Sequence, residues 1–449
     1  MLTKEENELI TRTGPGTPMG NVIRSYWIPA AMSSELPSPD CSPVRMRLLG
    51  ENLIAFRTTS GEVGFIADAC PHRGASLFFG RNEEEGLRCV YHGWKFDVNG
   101  NCVDMPSEPP ESNFKAKVKA RTYPARERSG MIWLYMGPRE VPPPLPEIVA
   151  NMQPEDHYHI GAYSSECNWL QSLEGDYDTI HVSFLHRGTT RFEDARMPDP
   201  ANDRYALKTR WARHFIKETE FGITSGNNRP AEEGTTYWRM AQYLYPFYAI
   251  PPASYTNLGM IAVVPVDDDN CLRFHWNVKE PGAPGRYGGP GLAEVDGVTT
   301  SYHSDPRHNT SDWLGRFKLA GTARNDYYID RQVQKEGKPD PTGIAYSGIP
   351  GRGQDGAMTE SMGTIYQRDK EHLGVTDSGI IRMRRVMIRL AKAMRDEGKE
   401  PPAVDRPELY RVTSACAILP DGVSGFDATL EDQWKMLKVD APMIEARGR

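Results

Sequence analysis

The apolar and polar positions of this chain fall into three rhythms. At the start, Thr3 with Glu6 three residues on forms a capping box that predicts a short helix through Ile10, ended by the turn-rich GPGTPMG at 14–20. From about Val22 to Pro138 short apolar runs alternate with turns. Leu53–Thr58 and Val63–Ala67 flank Ser60-Gly61, Lys95–Val98 and Cys102–Asp104 flank Asn99-Gly100, and Met131–Met136 is one more strand. The third rhythm follows the proline-rich stretch PREVPPPLP (138–146), which reads as a stiff connector and a domain boundary. Asn168–Leu185 reads as mostly helical, and Trp211–Phe221, Thr236–Phe247, Met260–Val266 and Leu272–Val278 read as strands. Ile380–Met394 carries apolar residues at helical spacing, with Asp377 or Ser378 as its cap and Gly398 as its stop. The expected class is α+β: an N-terminal helical segment (1–21), an all-β domain (22–138), a linker (139–150), and a second domain (151–449) of antiparallel sheet and helices in a helix-grip arrangement.

Composition narrows the function classes. The 449 residues carry a formal charge of −7, which argues against a nucleic-acid binder. No apolar run approaches the roughly 20 residues of a membrane span, and the charged MLTKEENELI is unlike a signal peptide, so a cytoplasmic protein is expected. Gly and Pro number 41 and 36, enough for abundant loops and turns. Seven cysteines are an odd number with no disulfide framework, so those that matter should bind metal.

Two of them have a spacing that carries chemistry. Cys70-Pro71-His72 is followed by sixteen residues and then Cys89-Val90-Tyr91-His92. Each half supplies one thiolate and one imidazole, unlike a zinc finger that pairs Cys with Cys and His with His. A Rieske [2Fe–2S] cluster takes two cysteines on one iron and two histidines on the other, which two adjacent loops provide if each sends one residue to each iron. A zinc-stabilised β-domain is the plainer alternative. Cys41, Cys102, Cys167, Cys271 and Cys416 lack such spacing and read as small core residues.

A second cluster lies in LEGDYDTIHVSFLHRG (173–188): Asp178, His181 and His186. Asp178 and His181 would share a helix face. His181 and His186 lie about 140° apart on an ideal helix, so both reach one ion only if the helix ends or distorts between them. With a distant carboxylate they would make the two-histidine, one-carboxylate triad of mononuclear non-haem Fe(II) oxygenases. Asp326, Asp330 and Asp355 are the carboxylate candidates, and capping of the following helix is the plainer role for Asp355.

CPHRG (70–74), CVYHGWKF (89–96) and CNWLQSLEGDYDTIHVSFLH (167–186) resemble the motifs of Rieske non-haem iron aromatic oxygenases, α subunits of the terminal oxygenase. MLTKEENELITRTGPGTPMGNVIRSYW (1–27), NDYYIDR (325–331) and QDGAMTESMGTIYQRDKEHLGVTD (354–377) resemble the phthalate dioxygenase-like branch. One departure is Gly175, where naphthalene-type members have Asn. The resemblance implies Cys70, His72, Cys89 and His92 as cluster ligands, His181, His186 and Asp355 as iron ligands, and Asp178 as the bridge between the two centres across a subunit interface. It also implies a homotrimer or a pair of trimers, O2 as co-substrate, and an aromatic acid that is dihydroxylated or O-demethylated. The chain lacks ferredoxin-type cysteine spacing and a dinucleotide fingerprint, so NAD(P)H and flavin are expected on a separate reductase. Arg204, Arg210, Arg229 and Arg239 are candidates for an anion-binding fork, though surface solvation is the plainer role of each. Trp169, Tyr177 and Phe184 read as core, and His157, His159 and His275 as structural. An electron-transfer Rieske protein and a zinc-stabilised binding module are the competing classes.

Overall fold

The computed structural model describes residues 1–154, 157–186, 204–252, 259–278, 294–295, 298–299, 313–314, 316–319, 321–337, 346–351 and 353–427. Helix α1 (Lys4–Thr11) has the full Thr3/Glu6 capping box. It is followed by a second helix that the sequence pattern missed, α2 (Pro18–Arg24), capped by the Thr17 hydroxyl and opened by Pro18. The first domain is then built from β1 (Trp27–Met32), β2 (Val44–Leu48), β3 (Glu51–Arg57), β4 (Val63–Ala67), β5 (Arg81–Glu83), β6 (Gly86–Arg88), β7 (Lys95–Phe96), β8 (Cys102–Asp104), β9 (Thr122–Tyr123), β10 (Ala125–Arg128) and β11 (Met131–Tyr135). They make three antiparallel sheets, ordered β1-β11-β10, β2-β3-β4-β9 and β5-β6-β7-β8. Both expected hairpins form, with Arg57 opposite Val63 and Phe96 opposite Cys102, and Gly61 and Gly100 take the positive φ their turns require.

The second domain begins with β12 (Tyr158–Ser165) and α3 (Trp169–Tyr177), then α4 (Arg204–Lys208), β13 (Arg213–Glu218), β14 (Gly222–Pro230), β15 (Thr235–Leu244), β16 (Tyr248–Ile250), β17 (Gly259–Pro265) and β18 (Cys271–Val278). After the small pair β19 (Glu294–Val295) and β20 (Val298–Thr299) come α5 (Arg331–Glu336), α6 (Gly353–Ser361), α7 (Ser378–Glu397) and β21 (Ala415–Pro420). An eight-stranded antiparallel sheet runs β12-β18-β17-β16-β15-β14-β13, with β21 added against β15. Helix α7 stops at Gly398 in the left-handed region, as its sequence predicts. Its cap differs: the Asp377 carboxylate accepts from the Gly374 backbone N–H at 2.7 Å and makes no bond to the helix.

The proline-rich stretch is a packed strap. Pro143 and Pro146 are buried, and the Trp27 indole N–H donates to the Pro143 carbonyl at 2.6 Å. One apolar core runs from Ile10 through Trp27, Trp133 and Trp169 to Trp276 and Tyr410, so it crosses the strap. A smaller core around Cys70, Cys89, Trp94 and Phe96 sits under the first candidate metal site.

Candidate metal centres

The Cys70–His72 and Cys89–His92 loops are built alike. The Cys70 carbonyl accepts from the Gly74 N–H at 2.8 Å and its N–H donates to the Ala75 carbonyl at 2.8 Å. The Cys89 carbonyl accepts from Gly93 N–H at 2.9 Å and its N–H donates to Trp94 at 2.8 Å. Gly74 and Gly93 both have positive φ, which closes each loop over its cysteine. Both thiols are buried, and burial together with the neighbouring Cys89 pushes the Cys70 thiol up to about 11. Such a pair ionises only beside a compensating cation. The rings of His72 and His92 lie 4.4 Å apart, with His72 stacked on Trp94 at 4.2 Å. Desolvation, His72 and Arg73 lower the pKa of His92, so a neutral imidazole is favoured. His72 Nδ1 is buried with no hydrogen-bond partner. Two thiols, two imidazoles and an orphaned ring nitrogen in one nest fit a [2Fe–2S] cluster of the Rieske type.

The second site forms because α3 ends early. The sequence pattern predicts helix to Leu185, but the helix stops at Tyr177 and Asp178 is extended. Asp178 and His181 therefore meet through a turn and not along a helix face. The Asp178 carboxylate accepts from the Ile180 N–H at 2.8 Å and the His181 N–H at 3.3 Å, a local bond that competes with helix. A short 3₁₀ turn over His181–Ser183 then brings His186 back beside His181.

Asp355, in the first turn of α6, completes the group. The Nε2 atoms of His181 and His186 are 3.1 Å apart, and Asp355 Oδ1 lies 3.1 Å from His186 Nε2 and 3.8 Å from His181 Nε2. The other two carboxylate candidates lie elsewhere: Asp326 is exposed, and Asp330 caps α5.

The outer hydrogen bonds fix which ring nitrogens carry protons. His181 Nδ1 lies 3.2 Å from the Asp178 carboxylate, an acceptor, so it donates there. Gln354 donates through Nε2 to the Ile349 carbonyl at 2.9 Å, which turns its Oε1 onto His186 Nδ1 at 2.6 Å. Both Nε2 atoms are thereby left as lone pairs aimed at a carboxylate oxygen. When the imidazoles are protonated instead, a hydrogen bond from His186 and the charges of His186, His181 and Arg273 outweigh burial and hold the Asp355 carboxyl well below its usual range. Three converging lone pairs repel one another unless a cation lies between them. Bonds of about 2.1 Å at right angles place neighbouring donors about 3 Å apart, which matches this triad. Gln354 carries no spacing signal, and sequence reasoning missed it.

Other expectations fare differently. Trp169 and Tyr177 are core, but Phe184 is 45% exposed and lies 5.3 Å beneath the Arg210 guanidinium. Arg210 is exposed, and the side chain of Arg204 lies outside the described residues. Arg229 is buried with Nε donating to the Thr209 carbonyl at 2.9 Å and Nη1 bonded to Asn227, so two of its nitrogens are committed to the protein. Arg239 is buried on the same sheet face, directly opposite Asn227. His275 stacks on Tyr163. Of the five remaining cysteines, four are buried and Cys41 is partly exposed.

A cluster nest in a β-domain, followed by a two-histidine, one-carboxylate site under a sheet, defines a two-centre iron oxygenase subunit. Comparison with known proteins agrees across the chain. Residues 26–124 match the Rieske [2Fe-2S] domain and residues 134–441 the family described as LigXa C-terminal domain like. The chain is 42% identical over 418 residues to the oxygenase subunit of 3-chlorobenzoate-3,4-dioxygenase from Comamonas testosteroni, covering 91% of this chain and 93% of that protein. It is 35% identical to the phthalate 4,5-dioxygenase oxygenase subunit of Pseudomonas putida, covering 86% of each. It is 30% identical to the 5,5'-dehydrodivanillate O-demethylase oxygenase subunit of Sphingobium sp., covering 94% of this chain and 88% of that protein. Dicamba monooxygenase bound to dicamba shares the fold with TM-score 0.54 at 18% identity, over 83% of this chain and 98% of its own. The chain belongs to the Rieske non-haem iron oxygenases, as the oxygenase subunit. It carries a Rieske [2Fe–2S] centre and a mononuclear iron, and takes its electrons from a separate protein component. No described helix is long and apolar enough to cross a membrane.

Proposed function

We propose that this subunit oxygenates an aromatic carboxylate, with Cys70, His72, Cys89 and His92 holding the cluster and His181, His186 and Asp355 holding the mononuclear iron. The observation that carries the iron assignment is the convergence of three lone pairs whose proton positions are set from outside by Asp178 and Gln354. When bound, the cluster stores single electrons and the mononuclear iron activates O2. The protein's own contribution is placement. His181, His186 and Asp355 would hold the iron through three protein donors, a set that supports O2 activation. Asp178 orients His181 through Nδ1, and in an assembly it would accept a hydrogen bond from a cluster histidine of a neighbouring copy. In this reading residues 22–138 form the cluster domain and 151–449 the catalytic domain, joined by the strap at 139–150, and copies assemble head to tail as a trimer.

An anionic aromatic substrate is favoured by two independent features. Relatives are named for 3-chlorobenzoate, phthalate and dehydrodivanillate. Strand register also puts two buried guanidinium groups on the sheet face that packs against α3: Arg273 is paired there with Asp176, and Arg239 carries the charge by which a carboxylate would be favoured. Either reaction consumes O2, two electrons and two protons: ring dihydroxylation keeps both oxygens as a cis-diol, and O-demethylation releases a phenol, formaldehyde and water. The electrons would come from NAD(P)H through a flavin-bearing reductase. Turnover with such a reductase on a panel of benzoates, phthalates and methoxybenzoates, with product identification, tests this reading. A cis-diol or formaldehyde tied to O2 uptake supports it, and turnover only on uncharged aromatics would overturn the carboxylate assignment.

A further inference from the structure

The turn that carries Asp178 and His181 is tied to the sheet by a chain of buried side chains that metal binding does not explain. Thr179 lies between the two, and its hydroxyl oxygen accepts from the Asn227 side-chain amide of β14. The amide oxygen of Asn227 in turn accepts from Arg229 Nη1, and Arg229 Nε donates to the Thr209 carbonyl at 2.9 Å. Asn227 and Arg229 are each 1% exposed and Thr179 is 7% exposed, so these bonds form where no solvent competes. Farther along the same segment, the Ser183 hydroxyl donates to the Ala206 carbonyl of α4 at 3.0 Å. The turn is thus pinned at Thr179 to the large sheet and at Ser183 to a short helix.

We infer that Thr179 and Asn227 are positioning residues for the Asp178–His181 turn, and through it set the rate at which an electron leaving the cluster reaches the mononuclear site. Asp178 is held by the amides of Ile180 and His181, so its carboxylate moves with the backbone around Thr179. Asn227 ties the Thr179 side chain, and through it that backbone, to β14. Because the amide of Asn227 is itself fixed by Arg229, it cannot turn away without leaving a buried donor or acceptor unpaired. This inference rests on the reading of Asp178 as the bridge for its electron-transfer part only; the pinning of the turn stands apart from it.

The test compares Thr179→Val, Thr179→Ser and Asn227→Ala with the parent chain in two measurements. The first is amide hydrogen exchange of the 178–186 segment in the purified protein. Loss of the bond should speed exchange there by about tenfold or more in Thr179→Val and Asn227→Ala, with Thr179→Ser unchanged. The second is the single-turnover re-oxidation of the reduced cluster, followed by its visible absorbance, with iron content and the cluster spectrum as controls. Here Thr179→Val should slow by about tenfold or more at unaltered iron content and substrate KM, and Thr179→Ser should restore the rate. Unchanged exchange in both Thr179→Val and Asn227→Ala would overturn the inference, as would faster exchange with an unaltered electron-transfer rate. If the parent chain itself fails to re-oxidise with any aromatic acid and O2, the proposed function is at fault, and the exchange measurement still decides the pinning.

Discussion

His186 owes its orientation to an amide 168 residues away in the chain. Gln354 accepts from Nδ1 and so presents Nε2 as a lone pair, a contact that tertiary folding alone creates. Gln354→Leu should therefore weaken mononuclear iron binding by about 10–100-fold, read by metal titration, while the cluster spectrum stays unchanged. Gln354→Glu keeps an acceptor there and should bind iron at least as tightly as the parent. The candidate cluster residues were legible in the sequence because a Cys and a His one or two residues apart are a local pattern that one loop can satisfy. The histidines of the second site were legible for the same reason, since His181 and His186 lie in one segment. Asp355 needed the resemblance to single it out from Asp326 and Asp330. Gln354 stands beside Asp355 in the same resembling stretch, but no role was legible for it, because a neutral amide becomes important only through what it touches. Arg229 shows the converse: its charge suggested an anion site, but its partners Asn227 and Thr209 place it in the support of the Asp178 turn.

At the scale of elements, the decisive event is where α3 stops. The apolar pattern continues past Tyr177, so periodicity extends the helix, but Asp178 takes the amides of Ile180 and His181 and ends it. Its start is equally well defined. Asn168 caps the Leu170 N–H at 3.1 Å and donates from the same side chain to the carbonyls of Thr11 and Asp268. Asn168→Ala should cost about 1–2 kcal/mol for the cap, and more for the stranded carbonyls, measured by denaturant unfolding. In the middle of α3, Glu174 is clasped by Arg368 and Arg384, with shortest contacts of 3.1 and 2.6 Å. Burial pushes the Glu174 pKa up, but the two guanidinium groups outweigh it and leave the carboxyl below its ordinary value of 4.5. A carboxyl held low in the folded state stabilises fully above that ordinary value and loses its contribution as pH falls through the folded one. Glu174→Gln should thus lower stability at neutral pH by about 3–5 kcal/mol, since Arg368 loses this counter-charge and Arg384 keeps only Glu371. The gap to the parent should narrow as pH drops below about 4.5. A gap that widens on acidification would contradict the assigned sign.

At the scale of the whole molecule, the described residues share one large apolar core, with smaller ones under the cluster nest, around Tyr237 and around Tyr327. The strap at 138–146 was legible as proline-rich but not as buried, because composition does not reveal what a segment lies against. Its packing beneath Trp27 joins the two metal-bearing regions into one body. Half of the eight-stranded sheet was legible: β13, β15, β17 and β18 overlap the strands expected at Trp211–Phe221, Thr236–Phe247, Met260–Val266 and Leu272–Val278. β12 and β14 carry mixed residues, β16 and β21 are short apolar stretches, and all four gain their strand character from neighbours in the sheet. The proposed head-to-tail assembly predicts a solution mass near three copies of 50.4 kDa, or a multiple of it, by light scattering. A monomer that turns over at full rate on dilution would contradict a bridge that crosses between copies. The central claim is that one chain holds a two-iron cluster and a separate single iron at His181, His186 and Asp355. Iron and acid-labile sulfide analysis of the parent chain and Asp355→Ala tests it most directly. The account predicts about three iron and two sulfide per parent chain, and about two iron with unchanged sulfide and an unchanged Rieske spectrum in Asp355→Ala. Equal iron content in the two proteins, or zinc in place of iron, would contradict it.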